Sequence, residues 1–214
     1  MEREIKAFEE KVKELMSGEA TGHDWYHVDQ VRKMALRIAE TEGGDKEIIE
    51  LAALAHDVGD RKFHSSEEEG ERKTRDLLNE CGFSTDVSEK VMDIIHKLSF
   101  KGAGVVDEMP TVEGRIVQDA DRLYALGAIG IARTFAYGGA KGRPIYDPEI
   151  PAERHASKEA YYGSVSPTIN HFYEKLLLLK GRINTATAKE IAERRHAYME
   201  GFLEQFYAEW DARD

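Results

Sequence analysis

The sequence predicts an all-α fold on three observations. Apolar residues recur at three- and four-residue spacing, glycines and capping residues separate the periodic stretches, and no segment alternates apolar and polar residues as a half-buried strand would. The N-terminal stretch MEREIKAFEEKVKEL is charged throughout and lacks the apolar run of a secretory signal. In the second helix, which begins near Trp25, Val28, Val31, Met34, Ala35, Ile38 and Ala39 share one face, and Gly43-Gly44 stops it. A short helix follows from about Lys46 to His56, dense enough in Ile, Leu and Ala to be buried. Glu67 to Leu78 reads as a helix with an acidic start that suits the positive end of its dipole. Asp86 to Leu98 carries Val87, Val91, Ile94, Ile95 and Leu98 on one face, and Val112 to Ala125 carries Ile116, Val117, Ala120 and Leu123. In the last helix Thr187 and Glu190 form a capping box ahead of an apolar stripe that reaches Trp210. Ala136 to Ala156, rich in glycine and proline, reads as one long irregular loop, and loops of that length in a compact domain are often functional.

At 214 residues the chain suits one large domain or a domain with an elaborated end, and no repeat or linker divides it. Hydrophobic residues at 41% and charged residues at 33% fit a soluble globular protein. No apolar run approaches the roughly 20 residues a membrane-spanning helix needs, so no membrane partner is expected. Cys81 is the only cysteine, so no intrachain disulfide can form and a reducing cytoplasm is the simplest location. The net charge of −11, unrelieved by any basic block, argues against a nucleic-acid partner. A small phosphorylated substrate is compatible with it, because a divalent cation and a few Lys or Arg residues can neutralise phosphate locally. A homo-oligomer is left open.

Familiar catalytic signatures are missing. There is no GxxxxGK(S/T) phosphate loop and no HExxH pair, and Gly102-Ala103-Gly104 lacks the rest of a dinucleotide fingerprint. Cys81 has no nearby cationic partner in sequence that would make it a nucleophile. What remains is a set of histidines and aspartates at helix starts and ends. His27 lies in the first turn of the second helix, His56-Asp57 closes the short buried helix, and Asp121 sits in QDADRL. Two imidazoles and two carboxylates suit a borderline divalent ion, which acts as a Lewis acid toward water and phosphoryl oxygen. Singly, each has an ordinary reading as a surface or satisfied core group. Spacing alone does not bring the four together.

Several blocks in order carry a resemblance: GHDWYHVDQV at 22–31, LAALAHDVGDRKF at 51–63, LSFKG at 98–102, VQDADRLYALGAIGIARTF at 117–135 and INHFYEKLLLLKGRINTATAK at 169–189. Together they resemble the HD-domain metal-dependent phosphohydrolase superfamily, in its YedJ/YpgQ-like branch. That resemblance implies an HD-type helical bundle with additional C-terminal helices. One domain would span 1–214, with an HD core over about 20–130 and a helical elaboration over about 157–210. It implies His27, His56, Asp57 and Asp121 as ligands of a divalent metal (Mn, Mg, Co, Ni or Fe). Asp119, two positions earlier, is the alternative aspartate. It makes Asp60 the group that positions water or moves a proton, against an ordinary reading as a loop cap after Gly59.

Lys62, Lys101 and Arg122 beside the motif residues are candidates to hold phosphate oxygens, against the usual fate of such groups as solvated charges. His23, Asp24 and His96 are further substrate-binding candidates, and Asp24 also has the position of a helix cap. Trp25, Tyr26 and Phe63 are candidates to stack on a base, although such aromatics are more often core. The resemblance implies hydrolysis of a small phosphorylated molecule, a nucleoside triphosphate split to monophosphate and pyrophosphate in the first instance. A nucleotidase and a cyclic-nucleotide phosphodiesterase would use the same residues. A sensor that binds metal and nucleotide without turnover is the rival from another class; its mark would be a lost ligand or a lost polar residue after HD, and neither is lost.

Overall fold

The computed structural model describes residues 2–17, 24–60, 64–98, 108–153 and 166–213. Among them every regular element is helical: α1 (Glu2–Leu15), α2 (Trp25–Glu42), α3 (Lys46–Ala55), α4 (Glu67–Glu80), α5 (Thr85–Leu98), α6 (Val112–Tyr124), α7 (Gly127–Ala140), α8 (Asn170–Glu174), a 3-10 helix over Leu176–Arg182, and α9 (Ala186–Trp210). The all-α expectation holds. No described helix is long and apolar enough to cross a membrane. The described residues gather into two compact units. One holds α1 to α5 and α6 as far as Ala120; the other begins at Asp121.

In the first unit α3 is the central element, packed against α1, α2 and α5. Ile48, Ile49 and the run Leu51–Ala55 are all buried, and the alanines Ala52, Ala53 and Ala55 let neighbouring helices come close. The chain reaches α3 through a tight turn. Gly43 and Gly44 take φ of 81° and 90°, the left-handed region that residues with a Cβ avoid, and the Gly43 N–H donates to the Ala39 carbonyl at 3.0 Å to close α2. Asp45 then caps α3, accepting from the N–H groups of Glu47 at 3.0 Å and Ile48 at 3.3 Å. Downstream, Ser66 caps α4 by accepting from the Glu69 N–H at 3.1 Å, while the Glu69 carboxylate accepts from the Ser65 N–H at 3.0 Å. This reciprocal pair fixes where α4 begins.

In the second unit α9 packs against α7 and the 3-10 helix. Two sequence expectations are corrected there. The cap of α9 is Thr185, whose side chain accepts from the Ala188 N–H at 3.4 Å, so the helix starts ahead of the expected Thr187–Glu190 box and both residues lie inside it. The expected irregular loop is also shorter at its start, because Ala136–Ala140 continue α7 despite Gly138 and Gly139. Gly138 has a packing reason: a Cβ there would fall 2.2 Å from the Thr168 Oγ1. The part of the loop that is described is pinned. Thr168 and Ile169 donate their N–H groups to the Pro144 and Ile145 carbonyls at 2.9 and 3.0 Å, and the Asn170 amide donates to the Ile150 carbonyl at 2.9 Å. Residues 154–156 of that loop lie outside the described residues.

The cap on α3 gives a direct test of how that helix is held. Asp45→Ala should destabilise the protein by about 1 kcal/mol, whereas Asp45→Asn, an equivalent capping acceptor, should cost much less. Urea unfolding of the three proteins measures both, and equal losses would remove the cap from the account.

Candidate metal centre

The site is built where α2 begins and α3 ends. Asp24 accepts from the His27 N–H at 3.0 Å, which caps α2 and fixes its first turn, and His27 is buried on the inner face of that turn. α3 stops at Ala55, so the carbonyls of its last turn have no partner within the helix. His56, the residue after its end, uses one of them: its Nδ1 lies 2.8 Å from the Ala53 carbonyl oxygen. A carbonyl only accepts, so Nδ1 is the donor and carries hydrogen. In a neutral imidazole this leaves the lone pair on Nε2.

That lone pair faces two further donors. His56 Nε2 lies 3.0 Å from His27 Nε2, and Asp57 Oδ2 lies 3.3 Å from His27 Nε2 and 3.4 Å from His56 Nε2. Metal–ligand bonds of about 2.1 Å would set adjacent donors roughly 3.0 Å apart in an octahedron and about 3.4 Å apart in a tetrahedron. The three separations lie within the range those two edge lengths span. His27, His56 and Asp57 form a group that can hold a metal ion, and two nitrogens with one carboxylate oxygen suit a borderline divalent ion. Three of the four residues the resemblance implies, His27, His56 and Asp57, therefore fit a metal ion, and Asp121 is not part of the group.

The other candidates stand at varied places. Asp60 is half-buried in the turn that follows, its N–H donating to the Asp57 carbonyl at 3.1 Å. Asp121 is half-buried on α6 and belongs to the second unit. Asp119 on the same helix is fully buried, and two residues turn an α-helix by about 200°, so the two carboxylates leave it in nearly opposite directions. Arg122 is buried and donates from Nη1 to the Arg182 carbonyl. His96 Nε2 pairs with Glu71 Oε1 at 2.8 Å, and Asp24 serves as the cap already described. His23, Lys62, Phe63 and Lys101 lie outside the described residues. Trp25 lies under the Lys13 ammonium, 5.8 Å from its ring centroid, and Tyr26 is 72% exposed. Burial pushes the Cys81 thiol up from its ordinary pKa, which keeps it protonated and unreactive.

Sequence reasoning did not single out the Ala53 carbonyl or His64, whose Nε2 lies 2.8 Å from the Val58 carbonyl oxygen. The signal for the first was available in the three-residue step from Ala53 to a histidine just past a helix end. His64 gave none beyond its place ahead of the α4 cap.

A family model described as HD domain matches residues 24–126. YpgQ of Bacillus subtilis (strain 168) is 40% identical over 195 residues, covering 91% of this chain and 87% of that protein. A crystal structure of YpgQ in complex with ADP superposes with a TM-score of 0.75 and 33% identity, covering 96% of this chain and 100% of that one. A structure described as an HD-superfamily hydrolase from Bacillus thuringiensis is 49% identical with a TM-score of 0.77, covering 99% and 98%. A Lactobacillus plantarum protein superposes with a TM-score of 0.89 at 36% identity, covering 99% of both chains.

Loss of one donor should be enough to empty the cluster. Mn(II) should bind the parent protein in equilibrium dialysis and be lost from His56→Ala and from Asp57→Ala, by a factor of roughly a hundred or more in affinity. Undiminished binding by either folded variant would move the ion elsewhere.

Proposed function

Because the chain belongs to the HD-domain family, we propose that it is a metal-dependent phosphohydrolase that splits a nucleoside triphosphate into monophosphate and pyrophosphate. The observation that carries this reading is the convergence of His27 Nε2, His56 Nε2 and Asp57 Oδ2 within 3.4 Å of one another. Asp121 is the fourth ligand in this proposal, supplied by the α6 helix. The ADP bound by the relative YpgQ favours a nucleotide over other phosphate esters.

The chemistry a divalent ion supplies when bound in such a set is Lewis acidity, which polarises a phosphoryl oxygen and makes water more acidic. The remaining work falls to side chains. His56 keeps its Nδ1 hydrogen on the Ala53 carbonyl and so keeps Nε2 aimed at the cluster. Asp60, one turn beyond Asp57, orients the attacking water and takes its proton. Lys62, Lys101 and Arg122 are proposed to balance the charge that grows on the departing pyrophosphate, with His23, Asp24 and His96 as further substrate-binding residues. Water attacks the α-phosphorus, the bond from that phosphorus to the bridging oxygen breaks, and the electron pair leaves with pyrophosphate.

Asp60→Asn should retain Mn(II) and nucleotide binding while turnover falls roughly a hundredfold or more. Full turnover by the folded, Mn(II)-loaded variant would reduce Asp60 to a loop residue.

The bond that breaks is read separately. Hydrolysis in oxygen-18 water should label the nucleoside monophosphate and yield unlabelled pyrophosphate. Label in single inorganic phosphate would mean attack at the γ-phosphorus, and the proposed orientation of the triphosphate would be wrong. Chelation of the metal should stop either reaction, and hydrolysis by verified metal-free protein would exclude the metal mechanism.

A further inference from the structure

We propose that His64 and Gly70 are positioning residues that set the geometry of the metal ligands from outside the cluster. This rests on the reading of His27, His56 and Asp57 as ligands. The turn that carries His56 and Asp57 follows a helix end, and within it the Val58 N–H donates to the Ala55 carbonyl at 3.0 Å and the Asp60 N–H to the Asp57 carbonyl at 3.1 Å. Two contacts from later in the chain hold it in place.

The first is the His64 imidazole, whose Nε2 lies 2.8 Å from the Val58 carbonyl oxygen. The acceptor is a carbonyl, so His64 donates from Nε2. It grips the residue next to Asp57. The second contact is backbone on backbone. Gly70, buried in the first turns of α4, lies so close to Gly59 that a Cβ on Gly70 would fall 2.2 Å from the Gly59 carbonyl oxygen, where ordinary contact begins near 3.4 Å. A Cβ on Gly59 would meet the Gly70 carbonyl carbon at 3.2 Å and Thr74 Oγ1 at 3.3 Å. Thr74 in turn donates its hydroxyl to the Gly70 carbonyl at 2.9 Å.

The position of α4 is itself fixed by the Ser66 and Glu69 cap. Helix register is thereby transmitted to the turn: the capped start of α4 places His64 just ahead of it and Gly70 just inside it, and both bear on residues 58 and 59. Metal coordination tolerates ligand displacements of only about 0.2 Å. The retreat that a side chain at position 70 demands is several times larger, and it falls two residues from Asp57. His64 and Gly70 touch neither metal nor substrate; they act through the turn.

The test measures metal binding rather than turnover, using Mn(II) alone as titrant and the absorption spectrum of the Co(II)-loaded protein as a report on ligand geometry. His64→Ala and Gly70→Ala should each weaken Mn(II) binding about tenfold or more and alter the Co(II) bands. His64→Gln, whose amide nitrogen reaches nearly as far as Nε2 and can donate to the Val58 carbonyl, should restore affinity to within about threefold of the parent. A packing role alone would lower thermal stability without moving the Co(II) spectrum, and would not discriminate Gln from Ala in metal affinity. Parental Mn(II) affinity and Co(II) bands in His64→Ala would overturn the proposal, as would a Gln variant no better than Ala. The two His64 variants decide the matter even if Gly70→Ala fails to fold. His56→Ala separates the two levels: loss of Mn(II) there with no effect at His64 sinks only the positioning role, whereas parental binding in His56→Ala sinks the site and this proposal with it.

Discussion

Three electron-rich atoms of the first unit, His27 Nε2, His56 Nε2 and Asp57 Oδ2, stand 3.0–3.4 Å apart with the imidazoles buried or nearly so. Lone pairs gathered at that distance repel unless a positive centre lies among them. A proton can serve one pair at a time, whereas a divalent cation serves all three. His56 has already committed its Nδ1 hydrogen to the Ala53 carbonyl, so its face toward the cluster is the bare one. The backbone acceptor outside the cluster thus leaves His56 Nε2 able to face a cation. Much of the first unit can be understood as the scaffold that keeps this otherwise unfavourable arrangement from relaxing.

The helix end is central to that scaffold. A histidine inside a helix would find the carbonyls of the preceding turn already bonded, and one further along a loop would have no fixed acceptor. At the C-cap of α3, His56 meets a carbonyl that the helix leaves open. α3 itself is held by the burial of Ile48, Ile49 and Leu51–Ala55 and by the Asp45 cap at its other end. His27 is placed by an independent device, the Asp24 cap on α2, so each of the two histidines is tied to a helix terminus. Termini suit this purpose because they combine rigid backbone with polar groups that the helix does not use.

Much of this was legible in the sequence, for reasons that differ by residue. The helices around the site declared themselves through apolar periodicity and punctuation, and α2, α3, α4, α5 and α6 lie within a residue or two of expectation. The cap of α9 was misplaced because Thr185 and Thr187 both stand at plausible capping positions, and the Glu at 190 favoured the wrong one. The end of α7 was read as loop because glycine weakens a helix on average; at Gly138 the side chain of Thr168 leaves no space for anything else. At the site, the HD pair and His27 could be named from motif order. Their approach to 3.0 Å could not, since no periodicity links residues 27 and 56. The preference for Asp121 over Asp119 rests on the resemblance, since both carboxylates stand on α6. His64 was invisible because its partner is a backbone carbonyl, and carbonyls have no sequence signature.

The acidic character of the chain bears on the substrate in a way the cluster clarifies. A net charge of −11 opposes the approach of a triphosphate at long range. At physiological ionic strength, however, charges beyond about 8 Å are largely screened, so binding depends on what lies within that radius of the reacting phosphorus. Under the proposed function a cation at the cluster would offset the ligand carboxylates there, and Lys62, Lys101 and Arg122 are the side chains proposed to balance the rest. Net acidity of this size disfavours long polyanions, which carry most of their charge beyond that radius, more than short ones. If the proposed cation is bound, the net negative charge of the chain would act as a size filter on phosphate substrates, in keeping with the free nucleotide proposed above rather than a nucleic-acid strand.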